Sequence, residues 1–214
     1  MDKLRLGVFV SGGGTNLQSI IDNCKEPDFP ARIVVVVSNK AEAYGLKRAE
    51  QAGIPTVCVP HKGFKKREEH EREIVKQIQP YNVEAVALAG YMRVVTSYLL
   101  DAFYNHDRGL PGVINIHPAD TNAYQGAHGY EFAMGMLEEH PHRLEETKIT
   151  VHFVDAGVDT GPIIKQAPVP VLPADSIDDL RARGLKVEHQ VYPEVIRLYA
   201  EGRLKLENKQ VIIT

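Results

Sequence analysis

Short apolar runs of strand length alternate with stretches whose apolar residues recur at helical spacing. Leu6 to Val10, Ile33 to Val37, Thr56 to Val59, Val83 to Ala89 and Val113 to His117 predict strands. Between them, Asn16 to Cys24, Tyr44 to Ala52, Glu68 to Gln79 and Ser97 to Tyr104 predict helices. The Val/Ile runs are nearly continuous, the pattern of strands covered on both faces. They predict an α/β fold with a doubly wound, mostly parallel sheet. From Ile149 the pattern changes. Ile149 to Val154 and Ile163 to Val171 have β character and flank a Gly157 to Gly161 turn, which predicts a partly antiparallel C-terminal extension. A last helix, about Ser176 to Ala200, follows Asp175 as its expected N-cap, with Pro193 as a place for a kink. No repeat, low-complexity tract or linker interrupts the pattern, so residues 1–214 are expected to form one domain.

Composition narrows the class. Apolar residues make up 43% and charged residues 25% of the 214, the profile of a globular chain. A formal net charge of −3 offers no footprint for nucleic acid. No apolar run is long enough to span a bilayer, and Met1-Asp2-Lys3-Leu4-Arg5 leads straight into a strand. Cytoplasmic residence is the expectation. Cys24 and Cys58 lack metal-ligand spacing and sit among apolar neighbours, so both are expected as buried free thiols. No His-Glu-x-x-His and no Cys/His cluster is present, so no metal is expected.

Parallel α/β sheets bind ligands outside the carboxyl ends of their strands. The turn after Val10, the Ala89-Gly90-Tyr91-Met92-Arg93 segment and His117 all fall at such ends. In Ser11-Gly12-Gly13-Gly14-Thr15-Asn16, the glycines let backbone approach an anion at a helix N-terminus. Thr15 with Gln18 also fits a capping box, which explains Thr15 without a ligand. A dinucleotide fingerprint would need glycine where Leu17 stands, and the second strand ends in Ser38-Asn39-Lys40, not in an acid. Lys40 leaves a 2′-phosphate open. A single phosphate monoester suits the turn better, and a purely structural turn is the alternative.

Gly112-Val113-Ile114-Asn115-Ile116-His117-Pro118 carries the candidate chemistry. Alternation places Asn115 and His117 on one strand face and Ile114 and Ile116 on the other. Pro118, lacking an N–H, ends the strand where the imidazole emerges. Asp159, in Asp159-Thr160-Gly161, is placed to orient that imidazole and raise its pKa. A hydrogen-bonding amide, a proton-exchanging imidazole and a carboxylate suffice for acyl transfer without a covalent intermediate. A histidine that merely ends a strand is the competing reading.

These elements stand in order: Ser-Gly-Gly-Gly-Thr-Asn-Leu at 11–17, Leu-Ala-Gly-Tyr-Met-Arg at 88–93, Asn-Ile-His-Pro at 115–118, then Val-His-Phe-Val and Asp-Thr-Gly-Pro-Ile. Together they resemble the phosphoribosylglycinamide formyltransferases of the folate-dependent formyltransferase superfamily, from about residue 4 to 207. The resemblance implies a Rossmann-like fold, with a phosphate-binding half over 1–110 and a catalytic, folate-binding half over 111–214. It implies transfer of a formyl group from 10-formyltetrahydrofolate to the amine of glycinamide ribonucleotide, in purine biosynthesis. Asn115, His117 and Asp159 become the catalytic set, and Gly14, Thr15 and Asn16 the phosphate turn. Glu188 becomes the ribose ligand, although alone it reads as an exposed helix residue. Arg67, Met92, Arg93, Val94, Val95 and Asn115 become folate contacts; by themselves Arg67 is a solvated charge and Met92 a core residue. Partners are then small molecules alone, and the assembly a monomer or homodimer.

After His117-Pro118 the family usually continues Ser-Leu-Leu-Pro, whereas this chain has Ala119-Asp120-Thr121-Asn122. The altered stretch runs to Tyr130, and His128 within it reads as a loop or helix-start residue. A sugar-amine formyltransferase and a 10-formyltetrahydrofolate hydrolase are therefore the enzymatic alternatives. A folate- or nucleotide-binding module is the non-enzymatic one.

Overall fold

The computed structural model describes residues 2–214. Its main sheet contains β1 (Leu4–Val10), β2 (Ala31–Ser38), β3 (Thr56–Cys58), β4 (Ala85–Leu88), β5 (Val113–His117), β6 (Glu146–Phe153) and β7 (Ile163–Pro170), in the order β3-β2-β1-β4-β5-β6-β7. The pairs among β1 to β5 are parallel, and β5–β6 and β6–β7 are antiparallel. The α/β class and the change of style near Ile149 are as expected. The helices are α1 (Thr15–Cys24), α2 (Tyr44–Gln51), α3 (Arg67–Ile78), α4 (Ser97–Ala102), α5 (Gly129–Ala133) and α6 (Ile177–Ala200).

Strand alternation divides the core in two. Val8, Ile114 and Ile116 pack with Leu17 and Ile20 of α1, Leu46 of α2 and Tyr192, Val195 and Tyr199 of α6. Phe9, Val86, Leu88 and Val113 point to the opposite face, against Ile74 and Ile78 of α3 and Leu99 of α4. The sheet is covered on both sides, as near-continuous apolar strands require.

Several local expectations are corrected. The N-cap of α6 is Ser176, whose Oγ accepts from the Asp179 amide at 3.2 Å while Asp179 Oδ2 accepts from the Ser176 amide at 2.9 Å. Asp175 is occupied elsewhere, paired with Arg183 at 2.6 Å. Helix α6 runs unbroken through Pro193. The carbonyl that Pro193 leaves without a helical donor, that of His189, accepts the Ser19 hydroxyl of α1 at 2.7 Å instead. Cys58 is exposed and Cys24 only half-buried, because each lies at the margin of the core and not within it. Neither α5 nor the hairpin of β8 (Leu204–Glu207) and β9 (Gln210–Ile213) was anticipated. Among the described residues, no helix is long and apolar enough to cross a membrane.

Candidate active site

Strand β5 ends beside β6, and their antiparallel register decides what meets there. Asn115 pairs across the ladder with His152, and His117 with Thr150. Cross-strand partners share a face, so β6 brings His152 up against the Asn115 amide. The turn between β6 and β7 then returns Asp159 to the same point. Its tip is shaped by Asp155, whose Oδ1 accepts from the Gly157 amide at 3.0 Å and from the Thr160 hydroxyl at 2.6 Å. Asp159 itself has φ 53°, a left-handed conformation that Asp tolerates better than most residues.

The three expected side chains converge. His117 Nδ1 lies 3.4 Å from Asp159 Oδ2. Asn115 Nδ2 donates to Asp159 Oδ1 at 3.2 Å and reaches His152 Nε2 at 3.2 Å. His152 Nδ1 is 2.8 Å from the Phe153 carbonyl, and its Nε2 also lies 3.5 Å from Asp159 Oδ1. The Gly126 amide donates to Asp159 Oδ2 at 2.9 Å, a contact from the altered loop. His152 lies within Val-His-Phe-Val, and its place in the cluster follows from sheet register alone.

Burial dominates the electrostatics. His117 is only 6% exposed. That burial pushes its pKa below the ordinary imidazole value; the Asp159 carboxylate, the Tyr124 carbonyl and Glu188 oppose the shift, and His152 adds to it. Asp159 raises the imidazole pKa as expected, but desolvation outweighs the ion pair and the net shift is downward. Burial also works against the Asp159 charge, but its contacts with His152, His117 and the Gly126 amide prevail and hold the carboxyl below its usual range. The result is a neutral imidazole beside an ionised carboxylate. His117 Nε2 is buried with no hydrogen-bond partner among the described residues, so a lone nitrogen is left to meet a ligand.

At the end of β1, the glycine turn has a built shape. Gly14 has φ 70°, and a Cβ there would stand 2.7 Å from Gly45 Cα. The Gly45 amide donates to Gly12 O at 3.0 Å, and Arg48 Nε donates to Gly13 O at 2.8 Å. Arg48 thus brings a cation to the turn that sequence reading did not single out. Gly14 is also the N-cap of α1, and Thr15 is exposed without a capping contact. The capping box expected for Thr15 and Gln18 is absent, since Gln18 instead bonds Asp22 and Arg48. Asn39 accepts from Ser11 Oγ at 2.6 Å and contacts His61 Nδ1 at 3.1 Å, so the end of β2 braces the turn.

Glu188 is buried, contrary to the exposed-helix reading. Asn16 Nδ2 donates to one carboxylate oxygen at 2.6 Å and the Tyr130 hydroxyl to the other at 2.7 Å. Asn16 Oδ1 is left buried and unpartnered. The glycine turn and Glu188, distant in sequence, therefore form one polar floor.

The 89–96 segment is tied at both ends. Ser11 Oγ accepts from the Met92 amide at 2.8 Å. Buried Glu71 accepts from the Thr96 amide at 2.8 Å and from the Thr96 hydroxyl. Between these ties, Met92 is 74% exposed and Val94 also faces solvent, whereas Val95 is buried. Met92 is no core residue, because the tie to Ser11 turns its side chain outward. Arg93 is half-buried; Arg67 opens α3 and is exposed. His128 caps α5 with φ 74° and lies 3.6 Å from Glu131, as a helix-start residue. Among the described residues, no group of three or more His, Cys, Asp or Glu is placed to hold a metal ion.

Comparison with known proteins agrees with this geometry. The formyl transferase family profile matches residues 4–196. Phosphoribosylglycinamide formyltransferase of Haemophilus influenzae is 41% identical over 95% of this chain and 91% of its own length. The Escherichia coli enzyme of that name is 41% identical over 95% of this chain and 90% of its own. Glycinamide ribonucleotide transformylase 1 of Symbiobacterium toebii superposes with a TM-score of 0.89, at 44% identity, covering 99% of this chain and 94% of that one. The chain belongs to the formyl transferase family, among the phosphoribosylglycinamide formyltransferases.

Proposed function

We propose that this chain transfers the formyl group of 10-formyltetrahydrofolate to the primary amine of glycinamide ribonucleotide, a step of purine biosynthesis. The observation that carries the reading is the convergence of Asn115, His117 and Asp159, with His117 Nε2 buried and unpartnered among the described residues. Gly14, Thr15, Asn16 and Arg48 hold the phosphate, and Glu188 takes the ribose hydroxyls, with Asn16 Oδ1 as a second acceptor. Met92, Arg93, Val94 and Val95, together with Arg67 and Asn115, receive the folate. The N-terminal half over 1–110 thus supplies most of the phosphate site and the 111–214 half the reacting groups. Small molecules are its only partners, and it works in the cytoplasm as a monomer or homodimer.

The amine nitrogen attacks the formyl carbon, and the carbonyl oxygen becomes an oxyanion. Asn115 donates to that oxygen by releasing one of its two internal contacts, a contribution of about 2.7–4 kcal/mol for such a donor. Neutral His117 accepts the proton of the attacking amine at Nε2, and the imidazolium so formed is stabilised by Asp159. It then delivers the proton to N10 as the carbon–N10 bond breaks.

Substituting His117 by Ala tests the assignment. Transfer is expected to fall by about 10²- to 10⁴-fold with the fold and inorganic-phosphate binding intact. A near wild-type rate would remove His117 from the mechanism.

A further inference from the structure

The stretch that departs from the family pattern has its own anchor. Asp120 Oδ2 accepts from Lys148 Nζ at 2.7 Å, and Oδ1 accepts from Gln166 Nε2 at 2.9 Å and from the Asn122 amide at 3.1 Å. The Asp120 carbonyl accepts the Ala123 and Tyr124 amides at 2.9 and 2.8 Å, which winds the loop tightly behind it. Lys148 stands on β6 and Gln166 on β7. Gln166 Nε2 also donates to Thr150 Oγ1 at 2.9 Å, and that hydroxyl donates to Ala119 O at 2.6 Å. Thr150 is the cross-strand partner of His117. The antiparallel edge of the sheet therefore grips the loop at two consecutive residues.

Past the grip, the same loop touches both members of the reactive pair. The Tyr124 carbonyl lies beside the His117 ring, and the Gly126 amide donates to Asp159 Oδ2. We propose that Asp120 is a positioning residue for formyl transfer, which fixes the 119–127 loop so that Tyr124 and Gly126 seat His117 and Asp159. This rests on the function proposed above. Lys148 is engaged by Asp120, and Gln166 is shared between Asp120 and Thr150. Burial opposes the Asp120 charge, but Lys148, Gln166 and the Asn122 amide outweigh it and hold the carboxyl below its usual range.

The groups that face His117 are Asp159 from the β6–β7 turn, His152 from β6, Glu188 from α6 and the Tyr124 carbonyl. The last depends on the Asp120 anchor directly, and the seat of Asp159 depends on it through the Gly126 amide. Freeing the loop therefore changes the Tyr124 and Asp159 contacts of the ring and its burial together, and the His117 titration midpoint moves from its wild-type position.

Ring NMR titration of His117 reads this without any substrate. The wild type is compared with Asp120→Ala, Asp120→Asn, Lys148→Met and, as a control on the same sheet, Lys165→Met. Asp120→Ala is expected to shift the His117 midpoint and to reduce kcat by about 10- to 100-fold, as slight misplacement of reacting groups does. Asp120→Asn and Lys148→Met should move both quantities the same way by less, and carry the test if the alanine variant does not fold. Lys165→Met should leave both unchanged. An unmoved midpoint in the Asp120 variants overturns the proposal, even where activity or thermal stability falls. Absence of formyl transfer by the wild type would defeat the proposed function instead, and the titration would still judge the anchor.

Discussion

His117 Nδ1 stands 3.4 Å from Asp159 Oδ2, yet the imidazole is held neutral because burial outweighs its partner's charge. The pair is built to stabilise an imidazolium that forms during the reaction, not one that waits for it. The rate should accordingly fall as pH drops through the His117 pKa, where the accepting nitrogen becomes occupied. Asp159→Asn removes the charge that opposes burial, so this acid limb should move to lower pH while kcat drops by about 10²-fold or more. A pH profile of kcat/KM checks both, and an unmoved limb would reduce Asp159 to a turn residue.

Tyr130 Oη donates to Glu188 at 2.7 Å, and its place is permitted by Gly184, where a Cβ would stand 2.1 Å from that oxygen. Tyr130→Phe frees one carboxylate oxygen and loosens the ribose floor. KM for glycinamide ribonucleotide should rise by about 10-fold, the weight of one hydrogen bond to a charged group, with kcat nearly constant. Gly184→Ala displaces the ring and should raise KM further. Steady-state kinetics in the acceptor separates these outcomes.

Glu71 fixes the far end of the folate-facing segment through Thr96. In Glu71→Gln the hydrogen bonds to a charged acceptor become neutral ones, each weaker by roughly half. KM for the folate donor should rise several-fold while KM for the acceptor stays unchanged. An equal rise in both would mean that Glu71 supports the fold as a whole.

Tyr192 joins the site to the core. Its buried hydroxyl lies 3.0 Å from both Leu88 O and Ile114 O, bridging the ends of β4 and β5 next to Asn115. Tyr192→Phe should cost about 0.5–1.5 kcal/mol of stability in urea denaturation.

What was legible in the sequence follows a physical division. The runs Leu6–Val10, Ile33–Val37 and Val113–His117 declare themselves because strands covered on both faces need uninterrupted β-branched residues. Asn115, His117 and the Gly14 turn are local to a strand or its end, so their meeting could be argued from strand ends alone. His152 could not, because its place depends on which residue of β6 faces Asn115, and that register is set by the loop between the strands. The anchor of Asp120 on Lys148 and Gln166 is hidden for the same reason. The charge partner that raises the His117 pKa is visible in sequence, whereas the burial that lowers it more is not. Helix α5 is too short to show periodicity, and the hairpin of β8 and β9 turns on Asn208 and Lys209 at positive φ, without the glycine that usually marks such a turn.

Turnover of 10-formyltetrahydrofolate by the purified chain, followed with and without glycinamide ribonucleotide, tests the central claim most directly. Consumption of the donor should require the amine and yield formylated glycinamide ribonucleotide in equal amount. Consumption at the same rate without the amine, or none with both substrates present, would contradict it.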